Sequence, residues 1–162
     1  MTSQNTAVGL FPVTYRIQSQ AAGQPLLGAP VLTVQLLVNT VDKTISGVGT
    51  TFQSTHPPLN QISFIKGDWS YMATMKSVHI LVVADGVSPS PILINGAPIS
   101  SENLRLRLSL TEDWQAGFAN FSYLNHGEWV EINGATVSIV EQSPQAILSE
   151  LSEQAQQHKP SI

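Results

Sequence analysis

Apolar and polar residues alternate along much of the chain, which is the pattern of β-strands that bury one face. The clearest case is ENLRLRLSL, from Glu102 to Leu110. One face of this predicted strand carries Leu104, Leu106, Leu108 and Leu110, and the other carries Asn103, Arg105, Arg107 and Ser109. We expect the leucine face in the core and the other face in water. Similar alternation marks VTYRIQ from Val13 and VLTVQLLV from Val31.

Short turn signals separate the predicted strands. Asp42-Lys43 and Asn95-Gly96 lie between apolar segments and predict hairpins. Asn133-Gly134 is interpreted in the same way, so the chain from Glu102 onward predicts a four-strand meander. Gly47 and Gly49, within TISGVGTTFQ, indicate a bulge or a bend in their strand.

The pattern changes after Pro144. The segment from Gln145 to His158 contains no glycine or proline, and its apolar residues recur at helical spacing. Ser143 and Pro144 fit the N-cap and the first helical position. The sequence therefore predicts one C-terminal helix.

These elements define the fold class and the domains. Nine or ten short strands and one late helix predict an all-β fold, a sandwich or a related barrel. We interpret the chain as an antiparallel β-sandwich over residues 1–142. Residues 143–162 form a C-terminal helix and tail packed on or near the same domain. The absence of alternating helices, of GxGxxG and of a P-loop argues against a nucleotide-binding α/β fold.

Composition excludes several classes of protein. The chain has 162 residues, enough for one domain, and only 11% of them are charged. With a net charge of -4, the chain lacks the excess of basic residues that binding to a phosphate backbone requires, so no nucleic-acid partner is expected. The chain contains no cysteine, and it lacks both a signal-peptide pattern and an apolar segment of membrane-spanning length. We expect a protein that is soluble when made.

No motif in the sequence predicts catalysis. GxSxG is absent, and the four histidines are scattered without the spacing of a helical metal pair. Glu112 and Asp113 are adjacent in a predicted turn, where acids usually face water. We therefore expect no catalytic residue, no metal site and no cofactor, and we interpret the protein as a non-enzyme.

Aromatic and arginine side chains are the candidates for a binding surface. Alternation places Phe121 and Tyr123 inward, but it leaves Trp114 at a loop tip and Trp129 on a polar face. An exposed Trp can bind a sugar, a lipid headgroup or a protein, or it can cover a sheet edge. The neighbouring arginines can contact such a ring, bind an anion or simply face solvent. The candidate surface residues are Trp69, Tyr71, Arg105, Arg107, Trp114 and Trp129.

Four segments carry a family resemblance: VGLFPVTYRI at Val8, GAPVLTVQLLVNT at Gly28, ISGVGTTFQSTHPPL at Ile45 and ENLRLRLSLTEDWQAGFANFSY at Glu102. Together they resemble a bacterial family of small proteins labelled as a domain of unknown function. The resemblance extends to about Val140. Its most specific part is the set Arg105, Arg107, Asp113, Trp114, Gly117, Ala119, Asn120 and Tyr123.

The resemblance implies a function outside catalysis. The family is similar to the larger component of a two-component bacterial insecticidal protein and, at the level of protein class, to the aegerolysins. This implies a membrane-active, pore-forming role with a small companion protein, at a target-cell membrane or receptor, and a possible homo-oligomer. Such a protein would be made soluble in the bacterial cytoplasm and act after release. The alternative is a carbohydrate-binding or other recognition module without lytic activity.

The predicted C-terminal helix has two interpretations. Its apolar residues Ile147, Leu148 and Leu151 are candidates for docking the companion, since an amphipathic helix fits a groove. Alternatively the helix caps an open end of the β-structure, which is the interpretation that we favour.

Overall fold

The structure, a computed structural model, describes residues 9–90, 92–140 and 145–158. Its strands are β1 (Leu10–Gln18), β2 (Gln20–Ala21), β3 (Gln24–Pro25), β4 (Val31–Asn39), β5 (Thr44–Gln53), β6 (Leu59–Ala73), β7 (Val78–Val87), β8 (Ile92–Ile94), β9 (Ala97–Ile99), β10 (Glu102–Leu110), β11 (Ala116–Asn125) and β12 (Glu128–Ile139). One α-helix, α1 (Gln145–Ala155), is followed by a 3₁₀ turn at Gln156–His158. None of the helices in these ranges has the length and apolar character needed to cross a bilayer.

The main sheet is a closed antiparallel barrel of eight strands. Each of β1, β4, β5, β6, β7, β10, β11 and β12 pairs with the next in that order, and β12 pairs with β1 to close the circle. Strands β2 and β3 form one small hairpin, and β8 and β9 form another around Asn95-Gly96, as predicted. The predicted all-β antiparallel class with a C-terminal helix is confirmed. The predicted sandwich is wrong, because β1 and β12 join the two edges into one sheet.

Two glycines inside strands lie very close to the backbone of a neighbouring strand. A Cβ atom on Gly47 would lie 2.0 Å from the carbonyl oxygen of Gln35 in β4. A Cβ atom on Gly67 would lie 2.1 Å from the carbonyl oxygen of Val83 in β7. Neither position has room for a side chain, so these residues permit close backbone approach at bends of the barrel.

The barrel interior is a packed core. Leu104, Leu106, Leu108 and Leu110 are all fully buried, which confirms the predicted leucine face of β10. Asn103 was predicted on the wet face and is buried instead, with only 4% of its surface exposed. The reason is a register shift between Glu102 and Leu104, which turns Asn103 inward.

Asn133 and Gly134 do not form the predicted turn. They lie within one continuous strand, β12, so the chain from Glu102 onward forms three strands, β10, β11 and β12, rather than the predicted four. In the pairing with β11, Asn120 stands opposite both residues, and Gly134 adopts a positive φ of 69°. This is a bulge with glycine in the left-handed conformation. The amide of Gly134 donates to Asn120 Oδ1 at 2.8 Å, which holds the bulge in place.

Helix α1 covers one end of the barrel. Leu148, Leu151 and Ala155 are buried in the same core as the strands. Thr40 Oγ1 donates to Gln154 Oε1 at 2.8 Å, which fastens the helix to the turn after β4. We call this the capped end. Of the candidate docking residues, Leu148 and Leu151 are buried against the barrel of the same chain, whereas Ile147 is half-buried.

The opposite end of the barrel carries the longer connections. The β2–β3 hairpin, the β8–β9 hairpin and the segment between β5 and β6 all lie there, together with the turn at His126-Gly127. We call it the open end. The predicted cap at Ser143-Pro144, like the domain boundary at 142–143, lies outside the described residues.

Candidate functional site

The capped end holds three of the candidate surface residues, Trp69, Tyr71 and Trp114. Trp69 and Trp114 are 1% and 0% exposed, and their ring centroids lie 5.3 Å apart in an edge-to-face arrangement. Tyr71 is half-buried beside Trp69, at 6.1 Å between ring centroids. The placement of Trp114 at an exposed loop tip is wrong, and the candidate surface residue Trp69 is buried as well. Both rings belong to the core.

The β10–β11 turn explains why Trp114 points inward. Trp114 has a positive φ of 64°, and its amide donates to the carbonyl oxygen of Thr111 at 2.9 Å. Asp113 Oδ1 accepts hydrogen bonds from Thr111 Oγ1 at 2.5 Å and from the amide of Gln115 at 3.1 Å. Asp113 thus stabilises the turn that directs the indole into the barrel.

Buried tyrosines at this end are held in their neutral form. Burial, together with the charge of Asp113, raises the pKa of Tyr15 well above its ordinary value. Its hydroxyl donates to the carbonyl oxygen of Trp114 at 2.6 Å. Burial, reinforced by Glu112, raises the pKa of Tyr71 to about 12. Neither phenol is suited to proton transfer near neutral pH, so their role is structural.

The two arginines lie on the outer wall of the barrel. The Arg105 guanidinium sits 4.2 Å from the ring centroid of Trp129, a cation–π contact that was one of three alternatives left open by the sequence. Arg105 also forms an ion pair with Glu102 at 2.7 Å, and Arg107 forms one with Asp85 at 3.6 Å. Each guanidinium therefore has a carboxylate beside it. An anion at this wall would have to compete with both carboxylates.

The open end contains a recess where β6 runs past the end of β7. The last residue pair between these strands is Phe64–Val87, so Leu59–Ser63 pairs with β5 alone among the described strands. A recess of about 560 Å³ lies between this segment, the β7–β10 connection and the end of β11. A second recess of about 380 Å³ adjoins it, and the two share Asn60 and His126.

Hydrogen bonds between side chains and backbone form the floor of this recess. Gln61 Nε2 donates to the carbonyl oxygen of Leu124 at 2.7 Å, which links β6 to β11 across the barrel end. Ser63 Oγ donates to Asn103 Oδ1 at 2.6 Å, and Asn103 Nδ2 donates to the carbonyl oxygen of Ile62 at 3.1 Å. The floor is thus built from uncharged amides and hydroxyls.

The lining of the recess contains one histidine, His126, and its other described side chains are not ionisable. Among the described residues that line it, none is Asp, Glu, Lys or Arg. Across residues 9–90, 92–140 and 145–158, no group of three or more His, Asp or Glu side chains is placed to hold a metal ion. The recess is suited to binding through hydrogen bonds and apolar contacts, in the usual manner of a barrel mouth.

Sequence reasoning missed the floor residues, although a signal was present. Gln61 and Ser63 have the same parity along β6 as the buried Ile65 and Trp69. Polar residues at inward positions near a strand end indicate a hydrogen-bonded cluster inside the barrel mouth. Asn103 carried no such signal, because its inward direction depends on the bulge in β10.

The fold and the recess define an antiparallel eight-stranded barrel protein with one capped end and one open end. Residues 8–129 match the family described as a domain of unknown function, DUF1842, and the chain belongs to that family. The match ends at Trp129 in β12, so α1 lies beyond it. A comparison with curated proteins finds no match.

Proposed function

We propose that the protein is a non-enzymatic recognition module that binds its ligand at the open end of the barrel. The observation that carries the proposal is the uncharged, hydrogen-bonding recess of about 560 Å³. The opposite end is filled by Trp69, Trp114 and α1, and the recess beside α1 there is smaller, about 320 Å³. Eight-stranded barrels with a filled core commonly bind ligands at the mouth.

The chemistry of the lining selects a neutral polar ligand, and carbohydrate is the class that fits it best. Asn60, Asn125 and Ser90 offer amide and hydroxyl groups, which pair with sugar hydroxyls. Pro89 and Leu59 add apolar surface, which packs against the C–H face of a sugar ring. A charged ligand would lose hydration here without gaining a counter-ion.

A glycan array of neutral oligosaccharides tests this function. Wild-type protein is expected to bind a defined subset of glycans without a companion protein. Asn60→Arg is expected to reduce that binding at least tenfold, because Asn60 is exposed and lines both recesses. Thr44→Arg is the matched control, since Thr44 is exposed on β5 near the capped end and lies opposite Asp68.

The control separates loss of the site from a general effect of the added charge. Thr44→Arg should retain wild-type binding. Equal binding by both variants would place the ligand away from the recess. Absence of glycan binding by the wild type would contradict the carbohydrate assignment.

A membrane-active subunit of a two-component insecticidal protein is the second candidate. The outer face of β5 and β6 supports it, because Val48, Phe52, Ile62 and Phe64 are each 38–50% exposed there. Val48 lies directly opposite Phe64, so these side chains form a contiguous apolar surface. Such a surface can bind a lipid bilayer or a companion protein.

Dye release from vesicles tests the second candidate. The vesicles contain insect midgut lipids, and the protein is added alone and then with any small protein encoded beside its gene. Release that requires both proteins and is reduced at least fivefold by Phe64→Ser would support this role. Glycan binding without any release would favour the recognition module instead.

A further inference from the structure

Two buried oxygen atoms beside the recess lack hydrogen-bond partners. Thr51 on β5 and Gln61 on β6 are direct cross-strand partners. Thr51 is 0% exposed, and its Oγ1 finds no partner in the part of the chain that the structure describes. Gln61 Oε1 also finds no partner there. The other end of the same amide is paired, since Gln61 Nε2 donates to the Leu124 carbonyl oxygen.

Stability alone does not account for this arrangement. A buried polar group without a partner costs about 1–3 kcal/mol, and valine has nearly the shape of threonine without the hydroxyl. The neighbouring polar groups are paired, since Ser63 Oγ donates to Asn103 Oδ1 at 2.6 Å. Of the four buried side-chain atoms without a partner among the described residues, two lie at the capped end, in Tyr71 and Trp114, and the two at the open end are those of Thr51 and Gln61. Features that are costly for the fold are expected where a protein binds its ligand.

We propose that Thr51 and Gln61 form a subsite for one hydroxyl group of a neutral ligand, an inference that rests on the proposed function. The ligand hydroxyl donates to Gln61 Oε1 and accepts from the Thr51 hydroxyl, so both protein atoms gain a partner. Gln61 lines the recess, and Thr51 is its fully buried cross-strand partner on β5.

The chemistry of the pair sets its specificity. Gln61 Oε1 can only accept a hydrogen bond, so an anionic oxygen would be repelled there. No carboxylate among the described lining residues balances a cation. A hydroxyl is both donor and acceptor, and it matches the pair without charge. A deoxy analogue of the ligand at this position would leave both atoms unpaired again, and such a loss discriminates strongly.

Thr51→Val tests the subsite, with Thr50→Val as the matched control. Thr50 directly precedes Thr51 on β5 and is half-buried on the outer face. Affinity is measured for glucose, galactose, mannose and N-acetylglucosamine oligomers, and the melting temperature is measured without sugar. Thr51→Val is expected to lose at least tenfold in affinity while its melting temperature stays equal or rises. Thr50→Val should keep wild-type affinity.

Each other outcome overturns the inference. Wild-type affinity in Thr51→Val would remove the subsite and leave the recognition module intact. A clear fall in melting temperature, or failure to fold, would show that the Thr51 hydroxyl is structural, as when a permanently bound water bridges the pair. Absence of sugar binding by the wild type itself would defeat the proposed function, and the subsite with it.

Discussion

Replacing Trp114 by alanine is expected to lower the free energy of unfolding by about 3–5 kcal/mol, the usual range for removing a large aromatic side chain from a core. The indole is fully buried and packs edge-to-face on Trp69. Its removal leaves a cavity in the core cluster that also contains Leu148 and Leu151 of α1. Urea denaturation followed by circular dichroism measures the change.

Trp129→Ala is the matched control for this substitution. Trp129 is 39% exposed on the outer wall, and its contact with Arg105 is a partly solvated cation–π pair. Such pairs contribute about 0.5–1 kcal/mol at exposed sites, so a loss of roughly that size is expected. Equal losses for the two variants would contradict the placement of Trp114 in the core.

Gly67→Ala is expected to destabilise the barrel by about 3 kcal/mol or more, at or above the upper end of the range for overpacking. The added Cβ would lie 2.1 Å from the carbonyl oxygen of Val83 and 2.5 Å from the Cα atom of Ala84. Both are backbone atoms of β7, so no side-chain rotation relieves the contact. Thermal unfolding of the purified variant measures the loss.

Gly23→Ala separates this contact from the ordinary strain of replacing a glycine. Gly23 has a positive φ of 80° and has no heavy atom within 4 Å of the added Cβ. Its substitution meets backbone strain alone, about 1–2 kcal/mol. A loss for Gly67→Ala no larger than that of Gly23→Ala would count against close backbone approach as the reason for the glycine.

The strands and their buried faces could be predicted because alternation is a local property of the sequence. The leucine face of β10 and the hairpin at Asn95-Gly96 follow from neighbouring residues only. Closure into a barrel could not be predicted in this way. It depends on pairing between Tyr15 and Ile139, which are far apart in the sequence. A local pattern fits a sandwich and a barrel equally well.

The candidate surface was less predictable because it depends on backbone geometry. A tryptophan in a turn with ordinary φ would face solvent, whereas the positive φ of Trp114 turns its ring inward. The contact between Arg105 and Trp129 was one of the open alternatives, because alternation places both residues on polar faces. The recess could not be predicted, because it forms only where β6 extends beyond the end of β7 and where a bulge turns Asn103 inward.

The pairing between β1 and β12, which closes the barrel, also determines when the barrel can form. Only the pairs from Tyr15–Ile139 to Gln18–Thr136 join the two strands at the described residues. During synthesis β1 can pair with β4 early, but its other edge has no partner until the ribosome has released residues 136–139. Until then the nascent chain is an open sheet with two free edges, the form most prone to pair with another chain.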